Sequence, residues 1–266
     1  MRKLEKVPTS EVLARVAEAA FGDSSTDADE PWTFVRELHH RCEPAVFQAA
    51  ATWCTSPNPL LRCLGADVLA QLGFEASHPF ANDSAPPLTS LLEDPDDRVV
   101  SCALVALGHL GVGASGTISP LASHQSADVR HSVAYCLGRR DDALSRDTLI
   151  LLSTDPETDV RSWATFGLGS LSEIDSAAIR EALVARLSDS DHEVRGEAML
   201  GLAVRGDSRA VPAILNELKH EEVSVLAFEA AAALPDRSFV RRLQALLVAH
   251  PSDPDISLAV ERCGAK

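Results

Sequence analysis

The chain has 266 residues, with 39 Asp and Glu against 24 Lys and Arg, and so carries a net charge of −15. That excess argues against nucleic acid as the main partner, because binding phosphates needs a positive footprint that displaces counterions. Hydrophobic residues make up 45% of the chain and aromatics only 5%, a balance that suits close-packed helices and disfavours strands.

Met1-Arg2-Lys3 leads into a charged amphipathic stretch, so no signal peptide is expected. No run approaches the roughly 20 apolar residues that span a bilayer. Residues 8–21 predict a capped amphipathic helix with Val12, Val16 and Ala20 on one stripe. Gly22 to Glu30 then predicts an acidic loop. Residues 1–30 are thus an N-terminal helix plus acidic loop, and residues 31–266 a single domain of helices joined by short turns. A helix over Trp32 to Arg41 is expected to cap that domain at one end. His39, His40 and Cys42 lie close together, but no third ligand at useful spacing accompanies them, so no metal is expected. The six cysteines form no Cys-x-x-Cys pair and point to reduced thiols in a cytoplasmic protein.

From here a signature recurs six times: a turn rich in Asp or Pro, an apolar residue, usually Arg, then a helix of small residues. It reads Asn58-Pro59-Leu60-Leu61-Arg62, Asp94-Pro95-Asp96-Asp97-Arg98-Val99 and Ala127-Asp128-Val129-Arg130. It continues as Asp155-Pro156-Glu157-Thr158-Asp159-Val160-Arg161, Asp191-His192-Glu193-Val194-Arg195 and a degraded Glu221-Glu222-Val223-Ser224. Aligned on the Arg position, the columns begin at Arg62, Val100, Arg130, Arg161, Arg195 and Ser224; in the second unit Arg98 comes two residues early. The preceding residue is always apolar, and seven residues after the column stand Leu69, Leu107, Leu137, Leu168, Leu202 and Ala231. With small or apolar residues three and four positions on, these columns share one helical face and predict the core. Small residues eight positions on, such as Gly108, Gly138 and Gly169, predict close helix approach. Phe74 to Pro87 and Gly111 to Pro120 interrupt the period and read as loops. Arg237 to His250 and Ser257 to Cys263 predict the final helices. Arg237, Arg241 and Arg242 read as a solvated face.

A period near thirty residues signals a solenoid. The Asp-Pro-x-x-x-Val-Arg pattern followed by Leu-Gly, seen best from Asp155-Pro156 through Val160-Arg161 to Leu168-Gly169, resembles HEAT repeats of the short, phycobilisome-lyase-like class. The resemblance covers residues 43–264. It implies an all-α, right-handed α-α superhelix, armadillo-like, of about six to seven helical hairpins. It further implies that Asp128, Asp159 and Glu193 form a structural ladder with Arg130, Arg161 and Arg195. Deoxyhypusine hydroxylase is similar in repeat, but its His-Glu iron ligands would fall here at His131-Ser132, Ser162-Trp163 and Gly196-Glu197, where no intact pair stands.

Residues two, five and nine after the Arg position share a second helical face. That strip carries Tyr135, Trp163 and Phe166, with Arg139 a turn beyond Tyr135 and Leu200 in the next repeat; His131 stands beside the same strip. Aromatics with Arg are the composition of interface hot spots. The same aromatics could instead close the core against neighbouring helices. The function expected is a non-catalytic scaffold or adaptor that binds another protein through the concave strip, by a basic or amphipathic segment, with no cofactor. The alternative is a phycobilin-lyase-like enzyme or enzyme subunit.

Overall fold

The structure is a computed structural model that describes residues 7–21 and 30–264. The predicted acidic loop lies, apart from Glu30, outside the described residues. Sixteen helices follow one another, and no strand occurs among the described residues. They are α1 (Thr9–Phe21), α2 (Glu30–His39), α3 (Pro44–Trp53), α4 (Pro59–Gln71), α5 (Ala81–Ser90), α6 (Asp97–Leu110), α7 (Ser115–Ile118) and α8 (Ala127–Leu137). Then come α9 (Ala143–Leu152), α10 (Thr158–Phe166), α11 (Ala177–Arg186), α12 (His192–Val204), α13 (Val211–Glu217), α14 (Val225–Ala233), α15 (Val240–Ala249) and α16 (Pro254–Gly264). A π-helical turn, Gly167–Leu171, extends α10.

The chain divides into two compact units, Met1–Cys136 and Leu137–Lys266. In the first, α1 packs on α2, and the pairs α3/α4 and α5/α6 follow, with α4 stacked directly on α6. In the second, α9/α10, α11/α12, α13/α14 and α15/α16 are hairpins whose second helices stack in the order α10, α12, α14, α16.

The predicted core column is buried throughout: Leu69, Leu107, Leu137, Leu168, Leu202 and Ala231 are each at most 1% exposed. The column before the Arg position is also buried, except that Val223 is half-buried. In the second unit the helices approach until backbone meets backbone. A Cβ added to Gly201 of α12 would lie 2.6 Å from Gly169 Cα. Glycine in a helix costs about 1 kcal/mol relative to alanine, and here only its missing side chain permits the contact.

Polar groups at the turns set each second helix. Asn58, Asp96, Asp191 and Ser224 accept first-turn N–H groups of α4, α6, α12 and α14. Each column Arg folds back onto its own turn, donating to the carbonyl six residues upstream: Arg62 to Ser56 (2.8 Å), Arg130 to His124 (2.9 Å), Arg161 to Asp155 (2.9 Å) and Arg195 to Asp189 (2.8 Å). Arg62 also grips Asp94 through two bonds of 2.6 and 2.8 Å, and Arg161 grips Asp189 through two of 3.0 Å. The carboxylates of the ladder are therefore Asp94 and Asp189, and not Asp128, Asp159 and Glu193, which stand exposed on the first helical turn. The turn carboxylate is the one that faces the Arg of the repeat before it. In the second signature Val100 is buried where the Arg would be, and Arg98 pairs with its own Asp96 at 2.7 Å.

The two predicted loops need correction. Residues 81–90 are helical despite Pro86 and Pro87, because Ser84 and Leu88 are buried and Ser84 Oγ donates to the Phe80 carbonyl. The segment 111–120 holds α7 and the start of a 3-10 turn, Ser119–Ser123, with Ile118 and Ala122 buried. The first of these segments is the first helix of the α5/α6 hairpin, with its prolines inside it. Similarly, α16 begins at Pro254, three residues before the predicted start.

Leu168, 1% exposed in the middle of the second unit, leaves a cavity when truncated. Leu168→Ala is expected to cost about 2–5 kcal/mol, measured by denaturant unfolding.

Candidate functional site: the strip on the second helices

Six residues were singled out on the strip. His131 and Tyr135, on α8, belong to the first unit, and Arg139, Trp163, Phe166 and Leu200 to the second. Arg139 is exposed; the other five are half-buried. The Tyr135 ring lies over Gly108 of α6, where an added Cβ would come within 3.1 Å of two ring carbons. This tyrosine therefore fills a gap between helices as well as edging the strip.

In the second unit the Trp163 and Phe166 rings meet edge to face, 5.6 Å between centroids and 79° between planes. Such pairs add about 0.5–1.5 kcal/mol beyond burial, which fixes the two rings as a half-exposed ridge. Val204, nine residues after Arg195, is 56% exposed and extends the apolar surface past Leu200 on α12. Ser170 Oγ donates to Glu197 at 2.9 Å, so the strip positions of successive repeats do meet. Glu197 holds its proton more tightly than an ordinary glutamate. Burial is the main cause, and the nearby charges of Glu229 and Glu193 reinforce it against the Ser170 bond. Aromatic and aliphatic surface thus sits beside Glu197, whose charge is opposed by those of Glu229 and Glu193.

The π-helical turn carrying Ser170 is held by Arg205, a residue outside every sequence column. Its guanidinium donates to the carbonyls of Leu168, Gly169, Ser172 and Gly201, each at 2.8 Å, and of Ile174 at 3.1 Å. The wider turn offers carbonyls that a regular helix would use internally, and one half-buried cation collects them. Burial lowers the pKa of Arg205, yet guanidinium remains charged at neutral pH. The one sequence signal was an Arg ahead of Gly206, which at φ +66 ends the helix in the left-handed region.

In the first unit the corresponding columns line a cavity of about 250 Å³ between α4 and α6, overhung by Trp32 of α2. Cys102, Asp67, Val105, Gln71 and His109 occupy strip columns there; their positions were legible in the sequence, the cavity was not. His39, weighed above as a metal ligand, instead bonds Asp67 at 2.9 Å. No helix among the described residues is long and apolar enough to cross a membrane.

A family profile for HEAT repeats matches residues 86–169 and 146–235, and a HEAT-like repeat profile matches residues 60–110. Protein YibA of Escherichia coli, strains K12 and O157:H7, is 33% identical over 138 residues, 52% of this chain and 49% of that protein. The match thus spans about half the length of these curated relatives. The crystal structure of Escherichia coli YibA aligns over 100% of this chain and 95% of its own, with TM-score 0.77 and 23% identity. An engineered protein aligns over 95% of this chain and 77% of its own, at TM-score 0.60 and 20% identity. These likenesses speak to fold.

Arg205→Met removes the clamp and leaves carbonyls unsatisfied. It is expected to destabilise the chain by about 2–4 kcal/mol, read as a lowered unfolding midpoint.

Proposed function

The chain belongs to the HEAT-repeat family, and from that premise we propose that it is a non-catalytic scaffold that binds another protein through the second-helix strip. The observation that carries this reading is the ridge of Trp163 and Phe166, half-exposed and rigid, continued by Leu200 and Val204 and flanked by Glu193, Glu197 and Glu229. Aromatic anchors of this kind dominate protein interfaces. The repulsion that Glu193 and Glu229 exert on Glu197 is relieved when a partner supplies a cation, which selects a basic amphipathic segment. The overall charge of −15 supports the same choice, because it draws basic partners and repels acidic ones. All six cysteines are free thiols, which fits a reducing, cytoplasmic setting.

The test compares wild type with Trp163→Ala/Phe166→Ala and Glu197→Gln/Glu229→Gln, each verified as folded by circular dichroism. Prey captured from native lysate is identified, and its binding segment is titrated as a synthetic peptide. The aromatic variant is expected to weaken the peptide about thirtyfold, the loss of one hot spot of about 2 kcal/mol. The glutamine variant is expected to bind more weakly and with a flatter salt dependence. Unchanged affinity in both variants would remove the strip from the interface.

A further inference from the structure

Cys63 on α4 and Cys102 on α6 line the same cavity of about 250 Å³, one from each of two successive repeats. Each thiol is the group that most shifts the ionisation of the other, so the two side chains stand as neighbours on that cavity wall. Both are half-buried, so the cavity connects them with solvent. Cys54, Cys136 and Cys263 are buried by contrast; burial pushes the Cys54 thiol up to about 12, and Cys263 donates to the Ala231 carbonyl at 3.4 Å. The walls are mainly apolar, with Ala70, Val105 and Ala106 below Trp32. Ser101 Oγ, another lining group, is buried without a hydrogen-bond partner. A small polar oxidant entering the cavity would find that hydroxyl in the same cavity as the sulfurs.

The two thiols differ in a way that assigns roles. The bond from Cys102 is the largest influence on Cys63 and lowers its pKa; burial and Asp96 oppose it, while Arg98 and Arg62 add to it. Cys102 is driven the other way, by its bond to Cys63 and by burial. Cys63 is thus the readier thiolate, and the thiolate is the reactive form, whereas Cys102 keeps its proton.

We propose that Cys63 and Cys102 form a redox-active dithiol that hydroperoxides convert to a disulfide between repeats. The Cys63 thiolate attacks one peroxide oxygen and the O–O bond breaks. Cys63 becomes a sulfenic acid, and the departing hydroxide takes a proton from solvent and leaves as water. The Cys102 sulfur then attacks the Cys63 sulfur; the S–S bond forms, the S–O bond breaks, and the hydroxyl leaves as water with the Cys102 proton. Two thiols lose two electrons in all, and one hydrogen peroxide becomes two waters. The disulfide requires the two sulfurs to close to about 2.05 Å. The proposal is independent of the protein-binding strip of the second unit and stands or falls without it.

The experiment treats the full chain with hydrogen peroxide, blocks remaining thiols with an alkylating agent and maps peptides without reductant. The expected result is a cross-linked peptide joining Cys63 to Cys102, two hydrogens lighter than the sum of its parts and reversed by dithiothreitol. It should form about tenfold faster than oxidation of the exposed Cys42. In Cys102→Ser, a sulfenic acid should be trapped by dimedone at Cys63; in Cys63→Ser, Cys102 should remain unmodified on the same timescale. Alkylation of both residues after peroxide treatment in wild type would overturn the proposal, as would oxidation no faster than that of Cys42. The wild-type map alone decides if either variant fails to fold.

Discussion

The packing of one second helix on the next is the interaction on which both units depend. A single hairpin has too little apolar surface to hide, and the column Leu side chains are at most 1% exposed only because neighbouring repeats cover them. The separation of those helices is in turn limited by the smallest side chain at the crossing. Gly169 and Gly201 bring two backbones together, and Gly108 does the same in the first unit, where a Cβ would lie 2.8 Å from the Cys136 Cα. Depth of burial along each column follows from that closeness, because a wider gap would open voids between the leucines.

Burial sets the distance between helices, and the arginines set their register. Arg62 and Arg161 each hold their own turn through a carbonyl and the next turn through a carboxylate. A bidentate pair with both partners mostly shielded, such as Arg161 at 12% and Asp189 at 5% side-chain exposure, has a direction that hydrophobic contact lacks. Its contribution to net stability is modest, since desolvation offsets much of the attraction. The Asp189 carboxyl shows that balance: burial raises its pKa, but the bonds from Arg161 and the Asp191 N–H prevail and hold it below the usual value.

Much of the fold was legible in the sequence because a helical period repeated at a regular interval constrains every position twice, once within its helix and once across repeats. Val129, Val160 and Val194 are buried as their spacing requires. The partner of each column Arg was misread, because first-turn carboxylates and turn carboxylates differ by only a few residues in sequence and by a whole direction in space. The segments around Pro86-Pro87 and Gly111 read as loops since proline and glycine are local signals, whereas Leu88 and Ile118 are held by tertiary burial. The π-helical turn is clamped by Arg205 through five carbonyls gathered from two segments, which no local pattern encodes. For the strip, the sequence placed the residues on one helical face but could not say how much of each ring the neighbouring helix takes. Tyr135 over Gly108 and the Trp163–Phe166 pair show that the division is fractional: each ring is part packing and part surface.

That division bears on how such a surface recognises anything. A fully exposed aromatic would lose rotamer freedom on binding and a fully buried one could touch no partner; a half-buried, edge-braced ring loses little entropy and still presents a face. Glu197 follows the same logic electrostatically. Its carboxylate is kept partly dry, next to Glu229 and Glu193, and is steadied only by the Ser170 hydroxyl. The free protein holds this arrangement at a cost that a nearby cation would remove, so the charge that disfavours the unbound state would favour the complex proposed above. Packing and the recognition proposed above therefore fall on the same residues: the repeat turns one helical face to the core and, on that proposal, leaves the adjoining one for a partner.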